Sequence, residues 1–221
     1  VVIDVQKLTL IEKRQMLYNH LKMGKQPLSY KKEIKPSMEY IANHERFIPE
    51  MARRLSDPFF TKNLYLSEYY LNIFIQKQES FLLELISELD KDNQAALALI
   101  FMNSEKLKSP LELNEIENNA ISKIGSSLSG CINALEAMRG NMVQHITVDD
   151  ESIWRFKHPI IGDAFAKHIV HSPDMVEIYI HGSSVDQLLE HITCGDRGVK
   201  NAIIIPKKLF LLILNRLISY K

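Results

Sequence analysis

The stretch from Ile153 to Ala166 constrains the fold more than any other in this chain. Over residues 153–158 the side chains alternate, with Ile153, Arg155 and Lys157 on one side and Trp154, Phe156 and His158 on the other. From residue 160 the spacing turns helical, with Ile160, Ile161, Ala164 and Phe165 forming a stripe. A hydrophobic period that changes from two to about 3.6 marks a strand running into a helix. Pro159 stands at the junction, where a first-turn proline is tolerated because its missing N–H would have no intrahelical partner. His158 therefore lies just before or at the helix N-terminus, where unpaired N–H groups and the dipole favour an anion.

The preceding segments give this junction a context. Apolar periodicity predicts helices over residues 94–103, 114–123 and 127–138. Gly140-Asn141 turns the chain, and residues 143–147 and 152–157 read as two short strands joined by the acidic turn Asp149-Asp150-Glu151. Three helices followed by a two-stranded hairpin is the winged-helix arrangement. A helix over 159–170 follows, and Ser172-Pro173 opens another with Ser as cap and Pro at the first position. Ser184 and Gln187 have capping-box spacing. Residues 203–205 read as a strand and 206–220 as a terminal helix.

The first part of the chain reads as helical after an initial strand over residues 1–5. Thr9 and Glu12 form a capping box, so a helix starts there and runs to about Met23, with Gly24 as its stop. Residues 26–35 read as a loop. Short helices are expected over 36–43 and 48–55, the second ended by Asp57-Pro58, since a residue before proline avoids the helical region. Residues 66–89 form one long amphipathic helix or two in tandem. Asp90 to Asn93 breaks that pattern and separates two subdomains, and residues 106–110 read as a linker.

At 221 residues the chain suffices for one large or two small domains. Its 27 basic and 27 acidic residues cancel, and a chain wrapped on DNA would show a basic excess, which argues against DNA as the main partner. No run reaches the ~18–20 apolar residues of a membrane span. Cys131 and Cys194 lack any short spacing and read as reduced, buried residues of a cytoplasmic protein. There is no initiating Met, and the strand-like opening Val1-Val2-Ile3 suggests a piece of a longer protein.

Several chemistries lack their motifs. There is no phosphate-cradling G-x-x-x-x-G-K-[ST], no G-x-G-x-x-G, no G-x-S-x-G and no H-E-x-x-H. Of eight histidines, only His168 and His171 share a helix face, and they read as a solvated helix end; no metal site and no catalytic residues are assigned. Three places stand out. His158 is placed to touch a phosphate. In His44-Glu45-Arg46-Phe47-Ile48-Pro49-Glu50, Pro49 at a helix start suits packing on a flat base, and Arg46 suits a phosphate. Residues 127–138 occupy the recognition position of a winged helix, but their exposed side chains, Asn133 and Glu136 with Arg139 just beyond, suit protein packing better than DNA.

Phe156-Lys157-His158-Pro159-Ile160-Ile161-Gly162-Asp163-Ala164-Phe165-Ala166 resembles the end of the winged-helix domain in STAND ATPases, the AAA+-related signalling NTPases, and most of all the bacterial "novel STAND" class. Leu10-x-Glu12-Lys13-x-x-x-Leu17-Tyr18-Asn19-His20 resembles the opening lid helix of that class. Arg46-Phe47-Ile48-Pro49-Glu50-x-x-Arg53-Arg54 resembles the lid helix that follows. Thr193-Cys194-Gly195, Ala202 to Pro206 and Arg216-Leu217 resemble the tail of the module. The likeness spans nearly the whole chain.

The resemblance implies a mainly α fold: an AAA+-type helical lid over residues 1–90, a winged helix with a small hairpin over 91–171, and a C-terminal helical extension over 172–221. It implies ADP or ATP, with Mg, held against a P-loop domain of the same protein that lies outside this chain. His158 matches the phosphate-contacting winged-helix histidine, and Pro49 matches the lid proline on adenine and ribose, although Phe47-Ile48-Pro49 replaces the Gly-x-Pro of other branches. Arg46 would be a phosphate contact by proximity. Exchange of ADP for ATP would release the winged helix and let protomers assemble into a homo-oligomer, in bacterial members for antiviral defence. Hydrolysis cannot be assigned to this chain, which lacks Walker A and B. The other readings are a winged-helix transcription regulator with a helical partner-binding domain, and a helical adaptor.

Overall fold

The computed structural model describes residues 8–195, 202–218 and 220. The fold is mainly α, with a small antiparallel sheet and C-terminal helices. The chain divides into two compact units after Phe81. The strand expected over residues 1–5 lies outside the described residues; among the described residues the N-terminal unit holds helices joined by turns and no strand.

In that unit α1 (Leu10–Met23) begins at a complete capping box, with the Thr9 side chain accepting from the Glu12 N–H and Glu12 accepting from the Thr9 N–H. Residues 26–35 are not a loop: α2 (Leu28–Ile34) forms there, because Ile34 is drawn fully into the core while its charged residues remain outside. A 3-10 turn (Lys35–Ser37) leads into α3 (Met38–Asn43). Pro49 opens α4 (Pro49–Leu55), and Asp57 caps a single turn, α5 (Pro58–Thr61), by accepting from the Phe59 N–H. α1 packs on α3 and α4. Leu17, Leu21, Ile41, Met51, Leu55, Leu71 and Ile75 form the core, the last two from α6 (Glu68–Gln76). The tandem alternative for residues 66–89 is the one adopted: Lys77 leaves the helical region (φ −110°, ψ 45°) between α6 and α7 (Gln78–Ser87).

The second unit is built around α8 (Lys91–Met102), in which every residue from Gln94 to Met102 is buried. A helix apolar on all sides belongs in a core, and α9 (Glu115–Ile124), α10 (Leu128–Met138), α11 (Pro159–Val170) and α12 (Pro173–Gly182) all pack against it. Residues 106–110 are more than a linker, since β1 (Leu107–Ser109) pairs antiparallel with β3 (Glu151–Phe156), which also pairs with β2 (Val143–Val148). The sheet order β1-β3-β2, with β1 between the first two helices, completes a winged-helix topology. Asp149 and Asp150 make the hairpin turn with both φ values positive (49° and 65°), the backbone of a type I′ turn whose twist matches the strands. Trp154 pairs with His145 and Leu107 across the sheet and is buried at 4% exposure.

Beyond α12 come α13 (Val185–His191), opened by the Ser184–Gln187 capping box, and a short parallel pair, β4 (Ile192–Thr193) with β5 (Ile203–Ile204). A 3-10 turn (Lys207–Leu209) precedes α14 (Phe210–Ile218). Cys131 is buried but Cys194 is exposed, against the expectation that both are buried; both thiols are free. Among the described residues no helix is long and apolar enough to cross a membrane.

Candidate functional site

The junction expected at residues 153–166 forms as a strand, a bend of two residues and a helix: β3 ends at Phe156 and α11 starts at Pro159. The packing that fixes it is aromatic. Phe165 of α11 lies 5.8 Å from Phe101 of α8 and 6.3 Å from Phe156 of β3, centroid to centroid. Gly162 faces the Phe156 ring and the Glu105 carboxylate so closely that an added Cβ would sit 3.1 Å from the ring and 3.2 Å from Glu105 Oε1.

His158 is the N-cap of α11. Its backbone is extended (φ −147°, ψ 139°), and its Nδ1 accepts the Ile160 N–H at 3.3 Å. The remaining first-turn donors are also accounted for. Pro159 has none, and the Ile161 N–H donates to the His158 carbonyl at 2.9 Å. The expectation of unpaired backbone N–H groups at this helix start is therefore corrected: cap and carbonyl consume them. With Nδ1 acting as an acceptor, the neutral ring carries its proton on Nε2. Protonating Nδ1 would break the cap. His158 is half-buried and stands at the positive end of the α11 dipole.

An acid that the sequence does not announce also borders this first turn. Glu105 follows Ser104 at the end of α8, both with positive φ (61° and 49°), and its carboxylate lies against Gly162. Burial pushes its pKa up, Arg155 opposes this and Asp163 adds to it. Nothing in the local sequence marks Glu105, because its placement depends on a strained helix exit meeting a helix 57 positions later.

Arg46 and Pro49 belong to the N-terminal unit and flank one turn. Pro49 is half-buried at the first position of α4. The preceding loop is held by His44, whose Nδ1 accepts the Arg46 N–H at 3.1 Å and whose Nε2 lies 3.1 Å from Asn72 Oδ1. The exposed Arg46 side chain donates to the Gln76 carbonyl at 3.3 Å, so its guanidinium lies along the end of α6. The strongest charge cluster here is one the sequence left unassigned. Glu50 accepts from Arg53 Nε (2.8 Å) and Nη2 (2.6 Å) and from Arg54 Nε (3.0 Å). Arg54 is 1% exposed, and both guanidinium groups stack over Phe60, at 5.0 Å for Arg53 and 5.7 Å for Arg54. The i, i+3 and i, i+4 spacings were visible; the burial was not.

His168 is not the solvated residue expected of it. It is half-buried, its ring lies 5.9 Å from that of Phe165, and its Nδ1 is 3.2 Å from Ser87 Oγ. Burial, then Lys91, lowers its pKa. His171 is exposed, with Nδ1 2.6 Å from the Lys167 carbonyl. Comparison with protein-family models, curated proteins and solved structures finds no match to this chain.

Proposed function

We propose that this chain is the nucleotide-sensing regulatory part of a STAND-type signalling ATPase, with a helical lid and a winged helix that close over ADP or ATP bound to a P-loop domain outside the chain and thereby control assembly of protomers. The observation that carries the reading is His158 itself. It caps the helix that leaves the winged-helix sheet, with its Nδ1 accepting the Ile160 N–H, so that Nε2 is the donor nitrogen of the ring. Such a donor suits a phosphate oxygen, and a hydrogen bond to a charged group contributes about 1.5–3 kcal/mol. If made in only one domain arrangement, that contact would shift the closed/open equilibrium by roughly ten- to a hundredfold. Pro49 and Arg46 supply the lid side in this reading, with Arg46 released from the Gln76 carbonyl.

The DNA-binding alternative has no comparable support. On α10 the exposed side chains include Ile132, Asn133 and Glu136, Arg139 is paired with Glu136 at 3.5 Å, and the turn of the wing is acidic.

The test separates capping from sensing. In the full-length protein His158→Ser keeps a capping oxygen but cannot reach as an imidazole does, whereas His158→Ala removes both roles. Both variants should lose co-purifying ADP and raise basal signalling, while only His158→Ala should also lose about 1 kcal/mol of stability. Unchanged ADP occupancy in both variants would refute the sensing role.

A further inference from the structure

A groove of about 460 Å³ opens between α9, the C-terminal end of α12 and α14. Beside it, α12 approaches α9 closely at Gly182. An added Cβ on Gly182 would lie 2.9 Å from Ala120 Cβ and 2.4 Å from Met102 Sδ, so only a residue without a side chain fits where α12 meets α9 and the Met102 side chain. Ala120 and the half-exposed Ile116 give the groove an apolar floor, and Asn119 adds a polar wall. Lys123, His181 and Arg216, from three different helices, line the same space.

The basic side chains are not a loose surface scatter. Arg216 is fixed by donating from Nη1 to the His181 carbonyl (2.8 Å) and from Nη2 to the Ser183 carbonyl (2.6 Å). Its charge is thus positioned before any ligand arrives, which removes most of the ordering cost of binding. The histidine registers the resulting field. Burial lowers its pKa most, Lys123 and Arg216 lower it further, and Glu177 acts in the opposite direction. A concave surface of this size, with an apolar floor and a few convergent polar groups, has the form of a small-molecule site.

We propose that this groove binds a small organic anion, a phosphate or carboxylate carried on an apolar body, with the charged group between Lys123 and Arg216 and the body on Ile116 and Ala120. The site lies within the second unit and stands independently of the nucleotide reading. Charge-assisted hydrogen bonds from Lys123 and Arg216 hold the head, and His181 lies beside it.

The full-length protein is titrated with 1-naphthyl phosphate, 1-naphthoate and inorganic phosphate, following the imidazole resonances by NMR, with His181→Asn used for assignment. One or both naphthyl probes should shift the His181 resonance saturably, and their relative affinities identify the preferred head group. Inorganic phosphate should bind at least about tenfold more weakly, since it cannot use the apolar floor. Lys123→Glu, an exposed change that spares the fold, should weaken the naphthyl probes about tenfold or more. An unshifted His181 resonance with every probe, equal affinity for inorganic phosphate, or undiminished binding by Lys123→Glu would each overturn the proposal.

Discussion

Removing Glu50 should cost more than any nearby change in the N-terminal unit. Its carboxylate accepts from both Arg53 and Arg54, whose side chains are only 16% and 2% exposed, Glu50 itself 13%. Arg54 Nη2 has no hydrogen-bond partner among the described residues, and Nη1 reaches only Gln78 at 3.4 Å. Burial lowers the Arg54 pKa, and Glu50 is the group that opposes this. Glu50→Ala therefore leaves a buried guanidinium without its counter-charge, a loss of about 3–5 kcal/mol. Against a total stability of roughly 5–15 kcal/mol for a domain, that is a large share. At about 3 kcal/mol per M, a typical guanidinium chloride slope, the midpoint should fall by roughly 1–1.7 M. Replacing the charged partner by an apolar one should behave differently. Arg54→Met removes the buried charge, keeps the contact with Phe60 and should cost under about 1.5 kcal/mol even though it deletes the same ion pair. The assay is denaturation followed by far-UV circular dichroism for both variants. An Arg54→Met loss equal to or larger than that of Glu50→Ala would refute the reasoning, because the asymmetry rests on the buried charge alone.

Gly162→Ala should destabilise by about 1–3 kcal/mol in thermal unfolding, despite the better helix propensity of Ala, because the new methyl meets the Phe156 ring and the Glu105 carboxylate; a gain in stability would show that this contact yields freely. Stability should also fall on acidification from pH 7.5 to 5.5. Burial is the main cause that holds His20, His168 and His181 below the ordinary histidine range. Their folded-state values are thus below the unfolded ones, so the unfolded chain binds protons first and stability, full above about pH 6.5, declines below it. Glu105, raised by burial, works in the opposite sense as pH rises above about 4.5. Urea midpoints at the two pH values, with His168→Gln flattening part of the slope, check this, and a pH-independent midpoint would contradict it.

Much of the helical framework was legible because its signals are local. Pro159 to Val170 reads as a helix from period and proline placement alone, and the capping boxes at Thr9 and Ser184 are four-residue patterns. Leu107–Ser109 escaped because a three-residue strand has no measurable period and owes its existence to a partner more than forty residues away. Leu28–Ile34 escaped because four of its seven residues are polar, and only the burial of Ile34 shows why it is ordered. For the site, the position of His158 was readable but its chemistry was not. A histidine before a proline does not reveal that its Nδ1 will consume the N–H group expected to greet an anion. The Glu50 cluster shows the same limit: spacing announces an ion pair, while depth decides what it is worth.

The burial of the sole Trp has an optical consequence. Trp154 sits in the sheet of the second unit with the His145 ring 4.6 Å away. Tyr18, Tyr30, Tyr40, Tyr65, Tyr69 and Tyr70 all precede Phe81, whereas the second unit has Tyr179 and Tyr220. Excitation at the red edge of indole absorption thus interrogates the winged-helix unit alone, with no label added. Emission wavelength reports water reaching the sheet, and intensity reports the imidazole tilted against the indole. The same chain therefore supplies a built-in fluorophore for following that unit through any ligand-driven change, while phenol signals report mainly on the helical unit before it.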